Sequence, residues 1–160
     1  MRYLTTDELL YINGRVLNNQ RILLGEQQIR DIGLLQAAVQ RPQSSAFGMD
    51  AFPSRQEKAA ALLHAIVRNH PFTDGNKRTG TVGMIFFLQV NGLCPIWSSE
   101  EALHVILETA LGRVQVGELA TWLSTKPCQA YPKPNIAQDM GIISEIMERH
   151  NWLLEQLASR

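Results

Sequence analysis

Apolar residues recur at three- and four-residue spacing along most of the chain, which is the pattern of amphipathic helices. The first such stretch follows two threonines suited to cap a helix, and it predicts a helix over residues 6–18. A second stretch runs from Ile29 to Val39 and is closed by Pro42. Residues 41–53 contain prolines, serines and a glycine, so we expect a loop or a short hairpin there.

A third helix begins at Ser54, because Ser54 and Glu57 have the spacing of a capping box. Pro71 ends it. Since a residue before proline is pushed out of the α region, we expect His70 to be extended, with its ring free to face a cavity.

The fourth helix is expected to be central. Asp74 or Thr73 caps its start, and the helix continues to Val90. It is apolar nearly all round, as buried helices are, with Val82, Met84, Ile85, Phe86, Phe87 and Leu88.

The rest of the chain predicts two further helices, a connection and a last helix. The fifth helix runs from Ser98 or Ser99 to about Leu111, and a short sixth covers residues 116–123. Residues 126–134 hold three prolines without periodicity, which predicts a linker. No strand is predicted, so the fold class is all-α. The last helix has about five turns and an apolar stripe of Ile143, Ile146, Met147, His150, Leu153, Leu154 and Leu157.

Composition restricts the class of protein. A chain of 160 residues is large enough for one domain with a sizeable core. Fifteen basic and fifteen acidic residues give zero formal charge, which argues against direct nucleic-acid binding, and no apolar run approaches the roughly 20 residues of a membrane span. Cys94 and Cys128 lack metal-ligand spacing, and we expect them to be unpaired in a reducing cytoplasm.

The polar stretch between the third and fourth helices concentrates the candidate chemistry. It combines the imidazole of His70, the carboxylate of Asp74 and the cations of Lys77 and Arg78 around Gly75. Unpaired N–H groups at a helix start favour an anion, and a glycine there lets the backbone approach it closely. The imidazole suits a general base, and a lone carboxylate beside phosphate oxygens is a common ligand of Mg²⁺.

Each of these residues alone also has an ordinary structural explanation. Asp74 is a common type of helix cap, and Lys77 and Arg78 suit a solvated helix face. A histidine after a helix is commonly a packed or surface residue. Their occurrence together between two strongly apolar helices favours an anion site.

The same stretch resembles the motif of the Fic/Doc family, H-x-F-x-[D/E]-G-N-x-R. The matching residues are His70, Phe72, Asp74, Gly75, Asn76 and Arg78. Lys77, in an N-K-R-T run, makes the chain more similar to the Doc (death-on-curing) branch, and Thr81 stands where the Fic branch has a distal arginine. Gly75 is the Fic-type residue, because the Doc archetype has alanine there.

The resemblance implies a single-domain helical bundle with a central buried helix and an extra C-terminal helix. It extends over about residues 1–125. We expect residues 1–126 to form the catalytic domain, residues 127–136 a proline-rich linker and residues 137–160 a C-terminal amphipathic helix.

The resemblance also implies a function and roles for residues. It implies a Doc-like toxin that uses ATP and Mg²⁺ to phosphorylate a threonine of a translation factor such as elongation factor Tu, and that is paired with a small antitoxin. The implied roles are a proton acceptor (His70), a Mg²⁺ ligand (Asp74), phosphate contacts (Gly75 and Asn76) and cations that bind the nucleotide and stabilise transferred charge (Lys77 and Arg78).

Two other functions stay open. Fic-type transfer of AMP to a protein hydroxyl is favoured by Gly75 and opposed by Lys77 and Thr81. A catalytically silent module would only bind the antitoxin. The C-terminal helix likewise has three interpretations: it packs on its own core, it forms a homodimer, or it inhibits, since Ser144 and Glu148 have the [S/T]-x-x-x-E spacing of inhibitory helices.

Overall fold

The computed structural model describes residues 1–18 and 28–160, so most of the polar, glycine-containing segment between the first two predicted helices, residues 18–28, lies outside the described residues. No helix in these two ranges is long and apolar enough to cross a membrane. The α-helices are α1 (Thr6–Leu17), α2 (Ile32–Gln40), α3 (Arg55–Asn69), α4 (Asn76–Val90), α5 (Ser99–Ala110), α6 (Val116–Trp122), α7 (Ile136–Arg149) and α8 (Asn151–Ala158).

The fold is mostly helical, as predicted, but the expectation of no strands is wrong. β1 (Ser45–Ala46) pairs antiparallel with β2 (Met49–Asp50), and β3 (Leu93–Pro95) pairs antiparallel with β4 (Thr125–Pro127). A 3₁₀-helix, Arg41–Gln43, precedes β1. The first pair is the short hairpin that was one of the two expectations for residues 41–53. The second pair was not expected, because strands of three residues are too short to show an alternating pattern.

The central position of α4 is confirmed. It packs against α1, α3, α7 and α8, and its apolar side chains are almost fully buried. Gly80 permits the close approach of α3, because a Cβ atom there would lie 3.0 Å from Leu63 and 3.2 Å from Val67. The first turn of α4 is therefore held on a rigid support.

The predicted helix starts are largely confirmed. Thr5 with Glu8, and Ser54 with Glu57, form capping boxes at α1 and α3. α2 begins three residues later than expected, at Ile32, because the Asp31 side chain caps it by accepting from the Leu34 N–H.

The predicted last helix is two helices, which is a correction. α7 ends at Arg149, and α8 begins at Asn151 after His150 leaves the helical conformation at φ −106° and ψ 24°. Both pack on the chain's own core, and the buried guanidinium of Arg2 lies 2.7 Å from a carboxylate oxygen of Asp139 in α7. The apolar stripe remains continuous across the break, with Ile142, Ile143, Ile146, Leu153, Leu154 and Leu157 buried.

The two cysteines are paired, so the expectation of unpaired thiols is wrong. Cys94 lies in β3 and Cys128 follows β4, and a disulfide joins them with their Cα atoms 5.9 Å apart. The backbone N–H of Cys128 also donates to the Gly92 carbonyl at 3.0 Å. Pairing of β3 with β4 brings together two residues that are 34 positions apart, which spacing alone could not reveal.

Candidate active site

His70 terminates α3 in the left-handed conformation, at φ 51° and ψ 62°, so the prediction of an extended residue is wrong. Its N–H donates to the Ile66 carbonyl at 3.1 Å, as in a helix C-cap. Arg30 donates from Nε to the His70 carbonyl at 2.6 Å and from Nη2 to the Asn69 carbonyl at 2.7 Å. These caps at the helix end outweigh the preference that the following proline imposes.

The segment before α2 supports the loop after His70. Ile29 forms an antiparallel bridge with Phe72, and the Thr73 N–H donates to the Gln28 carbonyl at 3.0 Å. The ring of Phe72 is fully buried and anchors the loop in the core. The loop is therefore held by a segment more than 40 residues away in sequence.

Gly75 begins α4, so the prediction that Asp74 or Thr73 is the cap is wrong. The Asp74 carboxylate instead accepts from the N–H of Gly75 at 2.7 Å. Gly75 has φ 74°, and a Cβ atom there would lie 2.9 Å from the Leu17 side chain. Both the conformation and the contact with α1 favour glycine.

The Asn76 side chain is buried and holds the loop closed. Its Oδ1 accepts from the Phe72 N–H and its Nδ2 donates to the Phe72 carbonyl, both at 3.0 Å. The same Nδ2 lies 3.5 Å from Nδ1 of His70. Since the amide is engaged inside the loop, the group that Asn76 can offer to a phosphate is its backbone N–H in the first turn of α4.

Asn13 of α1 is a site residue that sequence reasoning missed. It is fully buried, and its Nδ2 donates to the Asp74 carbonyl at 2.9 Å and to Oγ1 of Thr79 at 3.0 Å. It therefore fixes the loop to the first turn of α4. The signal in the sequence was a polar residue within the buried stripe of α1, beside Leu9, Ile12 and Val16.

The surroundings of His70 favour its neutral form. Partial burial lowers the pKa of this imidazole, and the positive charges of Lys77, Arg30 and Arg68 lower it further. Because the pKa lies below the ordinary value for histidine, the uncharged ring is favoured at neutral pH, and one of its nitrogens is unprotonated and able to accept a proton. Arg30 therefore has two functions here, since it caps α3 and contributes to the positive field.

The two cations of the motif point to different neighbours. Lys77 donates from Nζ to the Arg160 carbonyl at 3.2 Å, and Arg78 donates from Nη1 to the Val16 carbonyl at 2.9 Å. Arg78 also lines a cavity of about 300 Å³ together with Glu148 and other residues of α7 and α8. The C-terminal helices thus form a wall beside the first turn of α4.

The exposed carboxylate of Asp74 suits a magnesium ion that is shared with a substrate. The described residues contain no group of three or more His, Cys, Asp or Glu side chains able to hold a metal. Mg²⁺ keeps several waters and is commonly bound by one or two carboxylates together with phosphate oxygens. The donor set fits that arrangement and does not fit a site made of protein ligands alone.

Thr81, which stands at the position of the Fic branch's distal arginine, does not face this chemistry. Its side chain is fully buried and donates to the Lys77 carbonyl at 2.8 Å within α4. The loop thus brings together His70, Asp74, Asn76 and Lys77, while Arg78 bridges to α1 and the cavity.

Comparisons with known proteins find similarity to one family. Residues 3–88 match the model of the Fic/DOC family. The chain is 52% identical over 69 residues to Toxin Doc of Mycolicibacterium smegmatis, an alignment that covers 43% of this chain and 53% of that protein. It is 28% identical over 123 residues to Protein kinase doc of Escherichia phage P1, covering 77% of this chain and 94% of that protein.

The two alignments differ in how much of each relative they cover. The chain spans about half the length of the Mycolicibacterium relative, and most of the length of the phage relative. The family match begins in the segment before α1 and extends into α4, so it includes the whole loop described above. The chain therefore belongs to the Fic/DOC family.

Proposed function

We propose that this protein is a Doc-like toxin that transfers the terminal phosphate of ATP to a threonine hydroxyl of a translation factor, with elongation factor Tu as the first candidate. The observation that carries the proposal is the position of the His70 imidazole beside the first turn of α4, with its Nδ1 3.5 Å from Nδ2 of Asn76. Partial burial and the charge of Lys77 lower the pKa of this imidazole. A proton acceptor next to a cation and free backbone N–H groups is what transfer of an anionic group requires.

The reaction follows from these groups. His70 accepts the proton of the target hydroxyl as the hydroxyl oxygen forms a bond to the γ-phosphorus. The bond from that phosphorus to the β,γ-bridging oxygen breaks, and ADP leaves with the electron pair. The N–H groups of the first turn of α4 and the side chains of Lys77 and Arg78 stabilise the negative charge that develops on the phosphate oxygens.

Asp74 is the residue proposed to hold Mg²⁺ in that reaction. A bound Mg²⁺ neutralises negative charge on the phosphate oxygens. Oδ1 of Asp74 accepts from the Gly75 N–H, and the residue is exposed, which suits a ligand shared with water and phosphate oxygens.

The pairing with an antitoxin is part of the same proposal. Its support is the similarity to a relative named Toxin Doc and to another named Protein kinase doc. A small protein encoded beside this chain is expected to bind it and suppress its activity.

Gly75 favours a second candidate function, Fic-type transfer of AMP. Its left-handed conformation is the one that a glycine adopts without strain, as in the Fic form of the motif. Lys77 opposes this candidate, because a bulky cation occupies the second-glycine position where Fic proteins would need open space for the α- and β-phosphates.

Transfer of radiolabel decides between the two. The purified protein is mixed with elongation factor Tu and ATP labelled at either the γ- or the α-phosphate. The proposal predicts label on the factor only from γ-labelled ATP. Label arriving only from the α position would establish AMP transfer and contradict the proposal.

A growth assay tests the silent-module alternative. Expression of the wild-type chain without its antitoxin is expected to arrest growth, and His70→Ala is expected to relieve the arrest. A module that only binds a partner would arrest growth equally well with the alanine.

A further inference from the structure

A polar cleft lies between the C-terminal half of α3 and the segment formed by α2 and the 3₁₀-helix. It has a volume of about 550 Å³, and its described lining consists of three alanines and the polar residues Gln40, Arg41, Ser44, His64 and Asn69. None of these is acidic. The cleft therefore presents hydrogen-bond donors and positive charge without a carboxylate of its own.

Arg41 and His64 form the centre of this cleft. Nη1 of Arg41 lies 2.8 Å from Nδ1 of His64, and the guanidinium also lies over the Phe52 ring at 5.7 Å. A guanidinium can only donate, so Nδ1 must accept and His64 carries its proton on Nε2. The pair thus offers the remaining guanidinium N–H groups and one imidazole N–H.

The positive charge of Arg41 is not neutralised within the described part of the chain. No ion pair there includes Arg41, and Asp50 on the neighbouring hairpin is taken by Lys58 at 2.7 Å. Burial lowers the pKa of Arg41. Burial, together with the charges of Arg41 and Arg68, lowers the pKa of His64. A half-buried cation without a counter-ion is costly, and an incoming anion would remove that cost.

The cleft is close to the candidate active site. His64 and His70 are six residues apart on and after α3, which is an axial rise of roughly 9 Å at about 1.5 Å per helical residue, and they leave α3 on different faces. An extended peptide covers that distance with about three residues. Asn69 lines the cleft and directly precedes His70, so the lining of the cleft ends one residue before the candidate proton acceptor.

We propose that the Arg41–His64 cleft binds a carboxylate side chain of the protein substrate, and that this contact places a hydroxyl at least three residues along the substrate chain beside His70. A volume of about 550 Å³ suits a segment of polypeptide better than a single inorganic anion. The planar fork of arginine matches the geometry of a carboxylate. The proposal rests on the proposed function for the identity of the ligand, since it assumes a protein substrate.

A binding experiment tests the cleft without requiring any transfer. The full chain, labelled with ¹⁵N, is titrated with hexaglutamate, with hexaglutamine or with inorganic phosphate, while the imidazole signals of His64 and His70 are recorded. Hexaglutamate is expected to shift the His64 signal saturably. Hexaglutamine is expected to leave it unchanged, and phosphate to bind at least about tenfold more weakly.

Variants distinguish binding of hexaglutamate in the cleft from its general electrostatic attraction to positive charge. Arg41→Gln is expected to weaken hexaglutamate binding about tenfold or more, because it removes the charge and the fork. The matched control is Arg68→Gln, which removes a nearby exposed charge and should change affinity less than about threefold. His64→Gln is a second variant that keeps a donor, and thermal unfolding of each variant verifies folding.

Three results would overturn the proposal: no saturable shift of His64, equal binding by Arg41→Gln and wild type, or phosphate binding as tightly as hexaglutamate. Failure of the proposed function is distinguishable from these. Hexaglutamate that binds wild type and not Arg41→Gln supports the carboxylate site even if no label reaches elongation factor Tu.

Discussion

The loop between α3 and α4 and the C-terminal helices α7 and α8 are both fixed to α4, but by different interactions. The loop is held by hydrogen bonds from Asn13, Arg30 and Asn76 to backbone atoms. The C-terminal helices are held mainly by apolar side chains in the core. Loss of one polar contact should therefore disturb the chemistry of the loop, whereas loss of apolar contacts in α7 or α8 should lower stability.

The largest expected effect is on the chemistry of the loop. His70→Ala removes the proton acceptor and should lower the rate of phosphate transfer by about 10²- to 10⁴-fold. Because the His70 side chain is largely exposed, the free energy of unfolding of the variant protein should differ little from that of the wild type. The control is His104→Ala, at an exposed histidine of α5, which should transfer at the wild-type rate. Equal rates in the two variants would remove His70 from the mechanism.

Substitution of a buried apolar residue in the C-terminal helices should have the opposite effect, a loss of stability with little loss of transfer. Leu153 is fully buried in α8, so Leu153→Ala should lower the free energy of unfolding by about 2–5 kcal/mol, measured by urea denaturation. The matched control is Leu111→Ala, at a leucine that is 61% exposed. This substitution should change the free energy of unfolding little. At a temperature where each variant is folded, transfer should be close to wild type. A large loss of transfer in folded Leu153→Ala would mean that α8 acts in the reaction.

Asn13 tests whether the loop depends on a single buried amide. Asn13→Ala leaves the Asp74 carbonyl and the Thr79 hydroxyl without this donor, which should lower the free energy of unfolding by about 1–3 kcal/mol. The rate of transfer should fall by about tenfold, because the first turn of α4 is less well fixed. Asn151→Ala removes an exposed amide and should have neither effect. A stability loss with an unchanged transfer rate would show that Asn13 serves the fold alone.

Local sequence signals were sufficient for most helices. The capping residues of α1, α3 and α5 and the apolar circumference of α4 predicted these elements because the interactions involved lie within one turn or one helix. The residues of the loop motif also lie within nine positions of each other, so their proximity could be predicted.

The errors arose where distant residues decide local structure. Arg30 caps the end of α3 from 40 positions away and holds His70 in a left-handed conformation against the local preference. The disulfide depends on a pairing of β3 with β4 that has no periodic signal. The Arg41–His64 cleft likewise joins two elements that no single pattern relates.

The smallest expected effect is a shift in the pH dependence of transfer, which is separate from the loss of rate expected when Lys77 no longer stabilises the phosphate charge. Lys77→Met removes a positive charge that lowers the pKa of this imidazole, so that pKa should rise. Transfer requires the neutral ring and is lost as the pH falls through the His70 pKa, so the acid limb of the rate profile should move to higher pH. Lys133→Met, an exposed control far from this loop in sequence, should leave the limb in place.

The central claim is that the fold holds a neutral proton acceptor at the start of α4, and titration of His70 by NMR tests it most directly. The wild-type imidazole is predicted to titrate below 6.5, the ordinary value for histidine, and at the same pH as the acid limb of transfer. A pKa at or above 6.5 would contradict the account, since the ring would then lack the burial and positive surroundings assigned to it.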